Sequence, residues 1–249
     1  MMNRGLVLVL VLVLRSLVPA QITVACAANV QFAMEEIKVA FEKSTGAQVK
    51  TIYGASGVIS AQIKNGAPFD VFVSADTDFP DSLVVHGFAD GKLGVYAYGT
   101  VVLWTAKNID VTKGLEVLKS PDIGKIAIPD PKSAPYGRAA MQALRKAGLF
   151  DTVRDRLVFG ESIAQTAQYI ITQAVDIGFN AKGIVMSKVM KNKGHWIELD
   201  TVLCPKIAQA AVVCAYGHLN NPVESKRFLT FLESLAAKEI LKKAGYDVP

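Results

Sequence analysis

From residue 22 onward, short runs of β-branched and other apolar residues alternate with longer stretches in which apolar side chains recur every three or four positions. ITVACA (22–27) is followed by FAMEEIKVAFEKSTG (32–46), AQVKTIYG (47–54), VISAQIKNG (58–66) and FDVFVSA (69–75). Short near-continuous apolar runs predict buried strands, and the period-3.6 stretches between them predict amphipathic helices, so the pattern calls for parallel strands covered by helices on both faces. In the first helix Met34, Ile37 and Phe41 are spaced to form one buried stripe, while Phe32, Glu36 and Lys43 face elsewhere. Gly46 and Gly66 are placed to end the first two helices.

Two longer apolar runs break the rhythm. VYAYGTVVLWTAKN (95–108) can carry the chain out of one lobe, and IAQAAVVCAYG (207–217) can carry it back. Between them lies a second α/β set, with strand KIAIPD, helix YGRAAMQALRKAG and strand DIGFN; after them, NPVESKRFLTFLESLAAKEILKKAG predicts two helices that return to the first lobe. The expected fold is therefore α/β and two-lobed, each lobe a mostly parallel sheet flanked by helices, with two crossover hinge segments. The expected spans are 21–97 and 216–249 for the first lobe and 98–215 for the second. Clefts between such lobes are where small ligands are held.

At 249 residues and 51% hydrophobic, the chain can bury one large core or two modest ones, and its composition excludes disorder. The opening MMNRGLVLVLVLVLRSLVPA has a basic start, an apolar run from Leu6 to Leu14, and small residues at Val18 and Ala20. It predicts a secretory signal over residues 1–20 and export to the periplasm. A spanning helix needs about 20 apolar residues, and Arg15 and Pro19 interrupt this one. Formal charge is +5, of which Arg4 and Arg15 supply two, leaving +3 on the rest. That surplus is too small and too evenly spread to argue for nucleic acid. Cys26, Cys204 and Cys214 enter an oxidising compartment on this reading, where a Cys204 to Cys214 bridge and three small buried hydrophobes are equally admissible.

The feature richest in chemistry is a recurring junction in which a strand ends in small or polar residues and a helix starts at once. It occurs at Ala28-Asn29, Ala55-Ser56-Gly57, Pro135-Tyr136-Gly137 and Glu161-Ser162-Ile163. Each helix start leaves N–H groups without intrahelical partners at the positive end of the helix dipole. Any one junction taken alone is best explained as an ordinary helix cap. Four of them, two in each expected lobe, would form an anion site from neutral donors if they converge.

Catalytic readings have less support. Ser56 sits in YGASGV, without the G-x-S-x-G spacing of a nucleophile elbow, and His86, His195 and His218 lie far apart in polar contexts without a metal spacing, so surface roles are expected. Phosphate loops and dinucleotide fingerprints are absent from the sequence. Asp70 and Asp76, at a strand end, are expected to cap the following turn rather than to act as a base.

Taken together, ITVACAANVQFAMEEIKVAFEKSTG, YGASGVISAQIKNGAPFDVFVSAD, DPKSAPYGRAAMQALRKAG and IAQAAVVCAYG resemble the periplasmic molybdate-binding proteins of ABC transporters, over about residues 22–246. The resemblance implies a non-enzymatic, monomeric solute-binding protein with no cofactor, whose ligand is molybdate or tungstate and whose partners are the membrane permease and ATPase subunits. It implies oxyanion contacts from Asn29, Ser56, Tyr136 and the backbone of Ile163, with Ala28, Gly57, Ser162, Asn180 and Ala181 as further candidates and no direct metal ligand. Three positions depart from the pattern: Asn29 stands where some members have Ser, Tyr136 where a smaller residue can occur, and Ala181 near the place of a tyrosine. Fully deprotonated oxyanions ask only for donors, whereas phosphate keeps a proton and asks for an acceptor, which Glu161 beside the fourth junction could be. Alternatives are a carrier for sulfate or a small organic acid, an exported serine hydrolase using Ser56, and the sensing domain of a regulator.

Overall fold

The structure is a computed structural model, and it describes residues 20–249. The expected secretory signal lies, but for Ala20, outside the described residues. The first lobe opens with β1 (Gln21–Ala27), α1 (Gln31–Thr45), β2 (Gln48–Gly54), α2 (Ser56–Lys64), β3 (Val71–Val73), α3 (Asp78–Val85) and β4 (Ala89–Gly99). The second holds β5 (Val101–Thr105), β6 (Ile126–Pro129), α4 (Pro135–Lys146), α5 (Phe150–Val153), β7 (Leu157–Gly160), α6 (Ile163–Ile171), β8 (Ile177–Ala181), α7 (Lys182–Val185) and β9 (His195–Glu198). The chain then returns through β10 (Ile207–Cys214) to α8 (Ala215–Asn220), α9 (Pro222–Leu232) and α10 (Leu235–Lys243). No helix among the described residues is long and apolar enough to cross a membrane.

The strands form two five-stranded sheets, ordered β2-β1-β3-β10-β4 and β7-β6-β8-β5-β9. In the first, β1 pairs in parallel with β2 and β3, while β10 is antiparallel to both β3 and β4. In the second, β6 pairs in parallel with β7 and β8, while β5 is antiparallel to both β8 and β9. Four strands in each sheet thus run one way, and the single reversed strand is the one that has just crossed from the other lobe. The reason is geometric. Val101 pairs with Ala181, the last residue of β8, so the crossing chain enters at the carboxyl ends of the strands and has to run away from them. Those carboxyl ends face the cleft, which is where open α/β sheets place ligands.

β10 moves one expected boundary. It hydrogen-bonds between β3 and β4, so the segment expected to close the second lobe is a central strand of the first. Likewise the run 95–108 is two strands in different sheets, with the crossing at Thr100. We therefore propose lobes of residues 20–99 with 207–249, and of residues 100–206.

Both faces of the first sheet are covered. On β1, Ile22, Val24 and Cys26 join a core with Met34, Ile37 and Phe41 of α1, and Ala25 joins another with Ile59 and Leu83 on the opposite face. The Phe41 ring meets Phe228 and Phe231 edge-on at 5.1 and 5.5 Å, tying α9 to α1. Gly46 ends α1 with φ 76°, its N–H donating to the Glu42 carbonyl. The second lobe has its own core, with Trp104, Ile128, Leu144 and Phe179 at its centre. All three cysteines are buried and free, and burial pushes the Cys204 thiol up to about 11 and that of Cys214 up to about 12. They behave as the small hydrophobes of the second reading.

Asp176 shows how the second lobe's loops are held. Its Oδ2 accepts the N–H groups of Gly124 and Lys125 at 2.8 Å each, and Oδ1 meets the Lys107 ammonium. Partial burial acts to raise the carboxyl, but the Lys107 ammonium and the two N–H donors outweigh it, and the carboxyl titrates below its ordinary value. A depressed folded-state pKa gives stability that is present above the ordinary carboxylate range and lost as pH falls through the depressed value. Asp176→Asn is therefore expected to lower stability at neutral pH by about 1–2 kcal/mol in urea titrations. The gap to the unmodified protein should close in acid; a gap that persists unchanged at low pH contradicts the assignment.

Candidate functional site

The four junctions meet. A cavity between the lobes is lined by Ala27, Ala28 and Asn29, by Gly54, Ala55 and Ser56, by Ala75, by Ala134, Pro135 and Tyr136, and by Ile163. These are the starts of α1, entered through a short 3₁₀ turn at Ala28–Val30, and of α2, α4 and α6. No lining residue is charged. With the lobes in contact the enclosed space is only about 10 Å³, far below the roughly 300–1,000 Å³ of pockets that take drug-sized organic ligands.

Local sequence explains the donors. The 3₁₀ turn that leads into α1, and the starts of α2 and α4, carry no side-chain cap, so N–H groups there are left for another acceptor. Pro135 at the start of α4 has no N–H to satisfy, which leaves Tyr136 to present the first one. Ser56 is 1% exposed, and its Oγ accepts from Ala75 N–H at 3.0 Å. A hydroxyl has one hydrogen besides its two lone pairs, and that hydrogen is available to the cavity.

Other candidates have different duties. Ser162 caps α6, its side chain accepting from Gln165 N–H at 3.3 Å. Asn180 Nδ2 donates to the Ile163 carbonyl at 3.1 Å and its Oδ1 accepts from Ala181 N–H at 2.9 Å. Asn180 and Ala181 therefore hold α6 against β8 and are absent from the cavity lining. Gly57 N–H donates across the cleft to the Ser133 carbonyl at 2.9 Å, so it joins the lobes instead of serving a guest. Glu161 is exposed and does not line the cavity. The Tyr136 hydroxyl faces the hinge, accepting from Gln209 Nε2 at 3.1 Å and from Asn29 Nδ2 at 3.5 Å, and so its junction offers backbone donors.

That hinge cluster is what sequence reading missed. Tyr96, Gln209 and Tyr246 come from three distant segments and are all but fully buried behind the cavity. A methyl group on Gly99 would fall 2.0 Å from the Tyr136 hydroxyl oxygen and 2.2 Å from Gln209 Nε2, so the crossover is a glycine where the cluster passes. Burial pushes the phenols of Tyr96, Tyr136 and Tyr246 well above their ordinary values, which keeps all three protonated. The one sequence signal was the polar Gln209 inside an otherwise apolar strand.

A latch also spans the cleft. Arg138 on α4 pairs with Asp76, stands 3.4 Å from Asp78 and lies 5.2 Å over the Phe79 ring. Burial pushes the Asp76 carboxyl up, while the Ser74 hydroxyl, Arg138 and Phe79 N–H pull it back. Asp76 Oδ1 accepts from Ser74 Oγ at 2.9 Å and Phe79 N–H at 3.3 Å, a capping role, while Asp70 accepts from Thr23 N–H at 2.6 Å and Asn221 Nδ2 at 2.9 Å. The three histidines are exposed, and no group of three or more His, Cys, Asp or Glu among the described residues could hold a metal ion.

Comparison with known proteins adds to this geometry. The profile of a bacterial extracellular solute-binding protein family matches residues 22–247. The molybdate-binding protein ModA of Azotobacter vinelandii is 38% identical over 230 residues, covering 92% of this chain and 90% of the relative. Its counterpart in Rhodobacter capsulatus is 37% identical over 227 residues, covering 91% and 88%. The solved Azotobacter vinelandii periplasmic molybdate-binding protein superposes with a TM-score of 0.85 at 33% identity, over 92% of this chain and 99% of that one.

A methyl group on Gly57 would lie 2.9 Å from Ser133 Cα and 3.1 Å from its carbonyl oxygen. Gly57→Ala is expected to hold the lobes apart at a cost of about 1–3 kcal/mol to the closed arrangement. Small-angle scattering should then give a larger radius of gyration than the unmodified protein; an identical curve would mean that the two loops slide past each other freely.

Proposed function

The chain belongs to the bacterial extracellular solute-binding proteins, and on that premise we propose that it captures molybdate, and tungstate equally, for import by an ABC transporter. The permease and ATPase subunits of that transporter are its membrane partners, and the binding protein has no turnover of its own. We place it outside the cytoplasmic membrane, exported by residues 1–20 and working as a monomer without nucleic acid.

One observation carries the reading: four helix starts, two from each lobe, line one uncharged cavity. A tetrahedral dianion needs donors all round, and it loses heavily if buried without compensation. Each helix start presents roughly half an elementary charge, so four together come to about two, opposite to the guest. The proposed contacts are the Ser56 hydroxyl and the first N–H groups at Ala28-Asn29, Ser56, Tyr136 and Ile163. Charge-assisted hydrogen bonds of this kind are the strong ones. A guest held from both sides favours the closed arrangement, in which Gly57 meets Ser133 and Arg138 meets Asp76. The transporter would recognise that arrangement.

The lining argues against the hydrolase reading. Ser56 has no histidine or carboxylate beside it in the cavity, so a hydrolase would lack its base.

Isothermal titration with molybdate, tungstate, sulfate and phosphate tests the assignment. Tight binding of the first two is expected, and absence of heat with both would reject it. Ser56→Ala should weaken molybdate by about tenfold without creating or removing esterase activity.

A further inference from the structure

Asn29 is 2% exposed, and its side chain is paired unevenly. Nδ2, with two hydrogens, faces three acceptors: Gln209 Oε1 at 3.0 Å, Tyr246 Oη at 3.2 Å and Tyr136 Oη at 3.5 Å. Oδ1 is buried with no hydrogen-bond partner among the described residues. A second strain sits next to it. Tyr96 has one hydroxyl hydrogen, and it faces both the Ser74 carbonyl at 3.1 Å and Gln209 Oε1 at 2.9 Å. Tyr246 already spends its hydrogen on the Asn29 carbonyl at 2.7 Å.

Carboxamide oxygen and nitrogen are nearly the same size, so the orientation of an amide is set by its partners rather than by its shape. Turning both amides over frees Tyr96 and gives Asn29 Oδ1 a donor. It also sets Oδ1 3.2 Å from Tyr246 Oη, whose one hydrogen then faces both Oδ1 and the Asn29 carbonyl, so the turn is favoured only when a guest accepts from Asn29 Nδ2. Gln209 Nε2 then donates to Tyr96 Oη and to Asn29 Oδ1, Tyr96 donates to Ser74 alone, and Gln209 Oε1 accepts the Tyr136 hydroxyl. Neither amide can turn by itself, because Asn29 and Gln209 would then confront each other with two oxygens or two nitrogens. The coupled turn leaves both hydrogens of Asn29 Nδ2 without an internal acceptor, on a residue that lines the cavity.

We propose that the Asn29 and Gln209 carboxamides turn together when a deprotonated oxyanion enters the cavity, so that Asn29 Nδ2 and not Oδ1 is presented to the guest. Gln209 is thus a positioning and specificity residue that need not touch the ligand. In the turned state the cavity offers donors only, which suits molybdate. In the other state Asn29 Oδ1 is an acceptor, which suits the proton that phosphate retains. This inference rests on the oxyanion reading above.

Two measurements test it, and molybdate titration of the unmodified protein is their control: no binding there overturns the functional reading itself. Gln209→Met keeps the side-chain length but removes the partner that makes the turn favourable. It should weaken molybdate on the order of tenfold to a hundredfold and affect phosphate much less, so that the ratio of the two affinities narrows. A purely structural loss would weaken both alike, and an unchanged ratio in a folded variant overturns the proposal. Because Gln209 is fully buried, the variant can fail to fold, and neutron diffraction from deuterated crystals of the unmodified protein then decides. With molybdate, deuterons on Asn29 Nδ2 should point at the anion and those on Gln209 at Tyr96 and Asn29 Oδ1; without it, both amides should be reversed. Identical orientations in the two crystals overturn the coupled turn.

Discussion

A dianion moved out of water loses its hydration shell, and no uncharged cavity can hold it unless donors are already aimed at it from several sides. On the proposed function, the make-up of this cavity follows from that constraint. A lysine or arginine in the cavity would supply the charge in one step, but it would attract any anion and would leave a buried cation whenever the lobes close without a guest. Helix starts supply a comparable positive potential from neutral groups that cannot be titrated. The cavity here is lined by such starts and by small residues, and Arg138, two residues after the lining Tyr136, is paired with Asp76 and Asp78.

Bringing four helix starts to one point is a problem of topology, and the two sheets solve it in the same way. Parallel strands followed by helices put every helix start at the carboxyl edge of its sheet. Two such edges facing each other enclose a cleft, and the chain can pass between them only by entering each sheet against the grain. β5 and β10 are those reversed strands. The same crossing brings Gln209 and Gly99 behind the cavity, where a buried polar cluster of Tyr96, Tyr136, Tyr246 and Asn29 takes the place of apolar packing. A fully buried cluster of neutral groups stays rigid as long as its hydrogen bonds are complete. Its two carboxamides are the members that can exchange partners without moving the backbone.

Closure and selection are therefore separable. Gly57, Ser133, Arg138 and Asp76 govern whether the lobes meet, at positions outside the ring of donors. On the proposed function, Ser56, the helix starts and the hinge amides govern what can be held once they do. A change in the first group alters the population of the closed form for every guest alike, while a change in the second alters the ranking of guests.

Periodicity alone determined the α/β class, the order of most strands and helices, and the buried stripe of Met34, Ile37 and Phe41, because these depend on side chains a few residues apart. The four junctions were legible too, since a small residue followed by a helix start is a local pattern. Other features were decided only in three dimensions. Whether the junctions converge, whether β10 belongs to the lobe it leaves or the lobe it enters, and whether Gly57 N–H serves a guest or Ser133 all depend on contacts between residues far apart in the chain. Asn180, a ligand candidate by position, is consumed by Ile163 and Ala181, while Gln209, with only its polarity in an apolar strand to mark it, holds Asn29 from 180 positions away. A hydrogen-bonding group advertises its chemistry in the sequence, but its partner is whichever group the fold brings within 3 Å or so, and no local pattern encodes that distance.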